Sequence, residues 1–386
     1  MRALSLGNFC SIKNLTHKIQ RRLVDKNIEP FEIQLKNLDS FRFGAGPAKF
    51  TICIDDLKAV AALSHFDELR FSEAYFNGDF DIKGDMWAVL TNRALLHDIH
   101  PLHRYWRIVL PYLTGQAFSN KNAIADHYEF DNEFFIKFMG PTRSYSQALF
   151  VSEDESLEVA QYGKLDNVIS DLYLKSGARV LDVGGGWGAF LEHAGKQGIQ
   201  VTAITLARQS ELYMKDLINR LQIPCEVIFK DFYQYESSRP YDAIVILGVI
   251  EHLPDYKKVL RKISKLLKPG GKLYLDASSF REIYSKPTFI SHYVFPGNHR
   301  YFCLHEFLSM VAKTNLELLS VYNDRYSYYQ TCKAWAMNLE SAKGEIVDRW
   351  GERLYRIFRL YLWGSAHAFY SRSMDAYRVV LERPDK

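Results

Sequence analysis

The chain of 386 residues carries 49 Lys and Arg against 45 Asp and Glu, a net charge of +4 and a pI of about 8.6. That balance is too weakly basic to argue for nucleic acid, and 47% hydrophobic with 24% charged residues excludes a disordered chain. No run of about 18 apolar residues exists to cross a bilayer, and the five cysteines form no C-x-x-C; no signal peptide is read, and a reducing cytoplasm without disulfide framework or thiolate zinc is expected. The length suggests more than one domain.

In chain order, Ile12, Leu15, Ile19 and Leu23 share one helical face, flanked by Lys13, Lys18, Arg21, Arg22 and Lys26. Such a basic amphipathic helix suits either an anionic membrane surface or packing on its own domain. Phe31 to Phe43 and Ala48 to Ile54 read as strands. Asp56 to Leu63, Asp67 to Tyr75 and Met86 to Leu96 read as helices, the second closing at Asn77-Gly78. Ser119 to Asn122 is the expected linker. It divides an N-terminal accessory α+β domain, 1–118, from a catalytic domain, 122–386.

Beyond it, apolar runs at Val180 to Val183, Gln200 to Ile204, Cys225 to Phe229, Ala243 to Leu247 and Lys272 to Asp276 alternate with helical segments. This is the pattern of an α/β fold with a mostly parallel sheet, whose ligands bind past the C-terminal strand ends. After the first run comes Asp182-Val183-Gly184-Gly185-Gly186-Trp187-Gly188. Glycines let a ligand approach the backbone. The spacing misses G-x-G-x-x-G, and no acid follows at Thr205 to Gln209, so a dinucleotide is poorly supported. D-x-G-x-G-x-G is typical of S-adenosylmethionine methyltransferases, and Asp182 suits a cofactor with a sulfonium and an amino group. Asp231 fits a contact to the adenine amino group or a helix N-cap equally well. His292, His299, His305 and Cys303 match no zinc pattern, so no metal is expected. The mixed basic and aromatic stretch from Arg281 to Arg300 suits an entrance for an anionic amphiphile or a solvated lid.

Several ordered pieces together resemble the cyclopropane-fatty-acid synthase family, including the mycolic acid cyclopropane synthases. They are His127-Tyr128-Glu129-Phe130-Asp131-Asn132-Glu133-Phe134-Phe135, Pro141 to Ser146 with its Tyr145-Ser146, the glycine turn, Thr205-Leu206-Ala207-Arg208-Gln209, Ile250-Glu251-His252, Lys268-Pro269-Gly270-Gly271 and Tyr293 to Gly297. The resemblance runs from about Ala125 to Arg383 and implies a Rossmann-like class I methyltransferase. Its members transfer the methyl of S-adenosylmethionine to a cis double bond of an acyl chain. It implies cofactor contacts at Tyr128, Tyr145, Ser146, Asp182, Gly184, Gly186, Trp187, Gly188, Thr205, Gln209 and Asp231, and active-site roles for Glu251 and Tyr328. The implied partner is an unsaturated phospholipid or other apolar acceptor. A homodimer and peripheral contact at the inner membrane face are further expectations.

Ring-forming members hold a bicarbonate ion as base. Here Gln147 stands where the family usually has Cys, and Asp276 where the synthases have a His that helps hold that ion. A carboxylate beside Glu251 repels an anion, so the bicarbonate site is expected to be absent or rebuilt. Three outcomes remain open: Asp276 or Glu251 acts as base, one of them raised in pKa by the like-charge pair; the product is a methyl branch or methylene; or the acceptor is a small molecule. Asp276 as a plain strand-end residue is the simpler alternative.

Overall fold

The computed structural model describes residues 6–23, 27–35, 40–55, 57–97, 132–281, 288–295 and 300–385. Near the N-terminus four short strands form a sheet: β1 (Phe31–Leu35), β2 (Ser40–Phe43), β3 (Phe50–Ile54) and β4 (Phe80–Gly84), in the order β2-β1-β3-β4. Phe31, Ile33 and Leu35 are buried while Glu32 and Gln34 alternate outward, the pleat expected of a sheet covered on one face. The single run expected from Phe31 to Phe43 is broken into the antiparallel pair β1–β2. Helices Leu57–Ser64, Glu68–Phe76 and Met86–Thr91 cover this sheet. Asp67 caps the second, its Oδ1 accepting from Arg70 N at 2.8 Å, and Asn77-Gly78 ends it. In helix Leu6–Leu23, Leu15 and Ile19 are buried in the core, so this stripe faces the protein.

The larger sheet holds β5 (Arg179–Val183), β6 (Gln200–Thr205), β7 (Glu226–Phe229), β8 (Tyr241–Leu247), β9 (Leu267–Ser279), β10 (Glu317–Asn323) and β11 (Asp375–Glu382). Its order is β10-β11-β9-β8-β5-β6-β7. The five strands foreseen are all present and mutually parallel, and β11 runs antiparallel between β9 and β10. Val180 to Val183 are buried without alternation, as in a strand covered on both faces. From β5 the chain winds one way to β6 and the other way to β8. The crevice past the ends of β5 and β8 is therefore the topological switch point.

Three C-terminal helices, Arg325–Ser341, Lys343–Trp350 and Glu352–Tyr370, join the two sheets. Phe80 and Leu90 from the N-terminal unit share one apolar core with Phe134, Trp187, Trp335 and Phe358. The boundary at 118–122 lies outside the described residues. Arg356, 8% exposed, donates through Nη1 to the carbonyls of Tyr75 at 2.8 Å and Phe80 at 3.0 Å. Arg356→Ala removes both bonds, leaving the Tyr75 carbonyl its backbone contact from Gly78 N at 3.2 Å, and should lower unfolding stability by about 1–3 kcal/mol. A denaturant midpoint unchanged from the parent would contradict this role. Among the described residues no helix is long and apolar enough to cross a membrane.

Candidate active site

The glycine turn leaves β5 with Gly184, Gly186 and Gly188 at φ of +78°, +51° and +77°, a region that strains residues with a Cβ. Gly184 N and Gly185 N both donate to Ile204 O, at 2.9 and 3.2 Å, which pins the turn to β6. A Cβ at Gly184 would lie 2.6 Å from Val249 Cγ2, so the turn after β5 packs its bare backbone directly against the Val249 side chain of the turn after β8. A Cβ at Gly186 would meet only the Gly184 carbonyl, at 4.0 Å, so open space lies above the middle of the turn. Gly188 heads helix Ala189–Gly195 in the left-handed region. Trp187 is buried in the core, edge-on to Tyr213 at 5.9 Å, and offers the turn's backbone rather than its ring.

Around this crevice three carboxylates are buried: Asp182 at the end of β5, Glu251 in the turn after β8, and Asp276 near the end of β9. Glu251 Oε1 accepts from Ser278 N and Ser278 Oγ, both at 2.8 Å, and its Oε2 has no hydrogen-bond partner among the described residues. Burial pushes Glu251 up to about 7 against the opposing pull of its hydrogen bonds, with Asp276 a lesser contributor. Burial also pushes Asp182 up to about 7, opposed by Lys164.

Asp276 has a partner that sequence reading missed. Lys164, from helix Leu157–Asp171, is fully buried and places Nζ 2.8 Å from Asp276 Oδ2 and 2.5 Å from Ser146 Oγ. Burial raises Asp276 and Lys164 pulls it back. Two expectations are thereby corrected. Asp276 is no plain strand-end residue, because its side chain is one half of a buried ion pair. The raised pKa values of the pair come first from burial rather than from like charges. Lys164 was detectable: Ala160, Lys164 and Val168 are all fully buried at i, i+4 and i+8, a cation in the middle of an apolar stripe.

The other expected residues fall into place unevenly. Gln147 is buried, and its Nε2 donates to Asp324 Oδ2 at 3.0 Å, while Asp324 also pairs with Arg378 at 3.0 Å. Tyr145 packs edge-on to Phe135 and against Trp335, both with ring centroids 5.4 Å apart. Tyr328 stacks on Phe369 at 4.4 Å. Thr205 Oγ1 accepts from Ala207 N at 3.1 Å, shaping the turn into helix Arg208–Leu221, whose first turn exposes Gln209. Asp231 is the N-cap of the next short turn, accepting from Tyr233 N at 2.7 Å. Tyr128 lies outside the described residues. Of the stretch from Arg281 to Arg300, Tyr293 donates to Glu73 at 2.7 Å and packs on Phe76, so this part seals against the N-terminal unit.

Aromatic rings adjoin the turn that carries Glu251: Phe295 lies against His252 at 6.3 Å and against Tyr361 at 5.8 Å, and Tyr361 against Phe358 at 6.0 Å. Three buried acids with one buried cation, beside an open glycine cradle, fit a cationic ligand. The aromatic wall fits an apolar one.

Comparison with known proteins identifies the family. A family model described as mycolic acid cyclopropane synthetase matches residues 116–379. The cyclopropane-fatty-acyl-phospholipid synthase of Escherichia coli K12 is 28% identical over 82% of this chain and 83% of its own length. The sphingolipid C9-methyltransferase of Candida albicans is 28% identical over 81% of this chain, which spans only 65% of that relative. A solved cyclopropane synthase of Mycobacterium tuberculosis superimposes with a TM-score of 0.64 at 27% identity, covering 68% of this chain and 98% of that one.

Proposed function

This chain belongs to the mycolic acid cyclopropane synthetase family and is an S-adenosylmethionine-dependent methyltransferase, and from that premise we propose that it methylates the double bond of an unsaturated lipid chain, most simply an acyl chain of a phospholipid. The carrying observation is Glu251: a buried carboxylate with one oxygen fixed by Ser278 and the other without a hydrogen-bond partner among the described residues, within electrostatic reach of Tyr328. The relatives named for a phospholipid synthase and a sphingolipid methyltransferase support a lipid acceptor.

The bound donor supplies an electrophilic methyl on a sulfonium, and its capture by an alkene leaves the positive charge on the acceptor chain. The residues of this chain are placed to manage that charge. Glu251 Oε2 can take the proton whose loss returns the acceptor to neutrality, and its pKa near 7 suits a base at neutral pH. Tyr145 and Tyr328 can turn ring faces toward the cation and keep water out. Gly184 and Gly186 would hold the donor against the backbone, and Asp182 would meet its ammonium or sulfonium. Thr205, Gln209 and Asp231, on the turns after β6 and β7, are proposed as its nucleoside-side contacts. Asp276 is already held by Lys164, so an external anion such as bicarbonate has no free cation waiting among these residues.

The test is incubation with methyl-labelled S-adenosylmethionine and vesicles of unsaturated phospholipid. Label in the acyl fraction supports the proposal; label only in a soluble acceptor favours methylation of a small molecule and overturns it.

A pH effect follows from the same acids. Asp182 and Glu251, near 7 in the ligand-free protein, must lose protons to face a cation. Donor affinity should therefore rise with pH through about 7 and level off above. The gain in Tm given by S-adenosylmethionine should be larger at pH 8 than at pH 6. An equal gain at both would show that these acids do not face the cation.

A further inference from the structure

Lys164 is the one fully buried cation among the described residues, and nothing in the catalytic outline so far uses it. Burying an ammonium costs far more than a methionine of similar length unless it is paired and hydrogen-bonded. Here the cost is met by two partners on two other elements. Asp276 Oδ2 on β9 lies 2.8 Å away, and Ser146 Oγ, in the segment ahead of its helix, lies 2.5 Å away. Ser146 in turn abuts the turn after β8: a Cβ on Gly248 would lie 3.0 Å from Ser146 Cβ. Gly248 N donates to Asp276 O at 3.1 Å. The ammonium thus sits at the junction of the strand carrying Asp276, the segment carrying Tyr145 and Ser146, and the turn leading to Glu251.

We propose that Lys164 is a positioning residue that holds Asp276 as a fixed, ionised carboxylate, so that Glu251 is left as the carboxylate of this pair that exchanges protons. The asymmetry is visible in the partners. Each acid is held through one oxygen, but Asp276 Oδ2 is held by a cation, whereas Glu251 Oε1 is held only by the neutral N–H and hydroxyl of Ser278. The other charged groups around the ammonium do not compete for that role. Asp182 on β5 acts on it at longer range. Asp324, ahead of helix Arg325–Ser341, is claimed by Arg378 of β11 and by Gln147. Asp171, on the same helix as Lys164, lies 3.7 Å from Arg378. Tyr274 on β9 and Tyr328 are held neutral by burial, their pKa values raised well above the usual phenol range.

The inference rests on the methyltransferase reading of the site, not on the acceptor, and its test needs no acceptor. Protons exchanged on binding S-adenosylmethionine are counted at pH 7 by titration calorimetry in two buffers of different ionisation heat. In the parent protein Asp182 and Glu251, each near 7, should together release about one proton. In Lys164→Met, Asp276 loses the counter-ion that offsets its burial, takes up protons more readily and adds to the release. In Lys164→Met with Asp276→Asn the share of the extra release that comes from Asp276 should vanish, leaving only the smaller share that the lost pull of Lys164 on Asp182 adds.

A lysine that serves packing alone would weaken binding without moving the proton count. A parental count in Lys164→Met, or an extra release that persists undiminished in the double variant, overturns the proposal. Should Lys164→Met fail to fold, Lys164→Arg, which keeps a cation beside Asp276, decides: a count equal to the parent's supports an Asp276 held ionised by that charge, and a raised count refutes it. If lipid remains unlabelled in the vesicle assay while these counts behave as stated, the acceptor assignment fails and the role of Lys164 stands.

Discussion

Replacing Glu251 with glutamine should lower methyl transfer by about a hundredfold to ten-thousandfold, the range a positioned acid or base contributes, with a much smaller loss of S-adenosylmethionine binding because Asp182 still faces the donor's cation. The substitution is nearly isosteric. The Ser278 N–H and hydroxyl can still reach the amide oxygen, so the 2.8 Å contacts that hold the side chain survive. What is lost is the carboxylate oxygen that has no partner among the described residues. The rate of the parent should rise with pH through about 7 as Glu251 ionises, and the variant should lack that limb. A variant retaining a tenth of the parental rate, or retaining the limb, would remove Glu251 from proton transfer and direct attention to Asp276.

Gly184→Ala should weaken S-adenosylmethionine binding at least tenfold and destabilise the fold. Two separate costs add. The left-handed backbone at φ +78° costs a residue with a Cβ about 1–2 kcal/mol. The new methyl would also lie 2.6 Å from Val249 Cγ2, forcing the turns after β5 and β8 apart at about 1–3 kcal/mol. The two can be told apart by experiment. Gly184→Ala with Val249→Ala removes the contact and leaves the backbone cost, so binding and Tm should recover in part but not fully. A single variant that binds like the parent, or a double variant no better than the single, would show that the two turns do not set the width of the crevice.

Much of this was legible in the sequence for reasons that can be stated. The five parallel strands announce themselves because strands buried on both faces are continuous apolar runs, as at Val180 to Val183. The glycine turn is legible because positive φ at Gly184, Gly186 and Gly188 leaves few alternatives to glycine. Glu251 and Asp276 were picked out by motif position, and the structure brings both to the crevice that the strand order defines.

What escaped was everything that depends on long-range pairing. Lys164 and Asp276 are 112 positions apart in the chain and 2.8 Å apart in space. No local pattern states that the carboxylate departing from the family's histidine is neutralised from a different helix. The binding of Gln147 to Asp324, and of Asp324 to Arg378, escaped for the same reason. The break of the run Phe31 to Phe43 into an antiparallel pair was missed because the apolar residues on either side read as one strand.

The central claim, that a carboxylate-lined crevice hands a methyl from a sulfonium donor to a lipid double bond, is tested most directly by mass spectrometry of the lipid after reaction with a trideuteromethyl donor. The account predicts deuterium in the hydrocarbon chain at the former double bond, with two deuterons retained where the proton taken by the protein came from the new methyl and three where it came from a neighbouring carbon. Donor consumed with no deuterium in any lipid chain, or deuterium found only on a headgroup or a soluble amine, would contradict it.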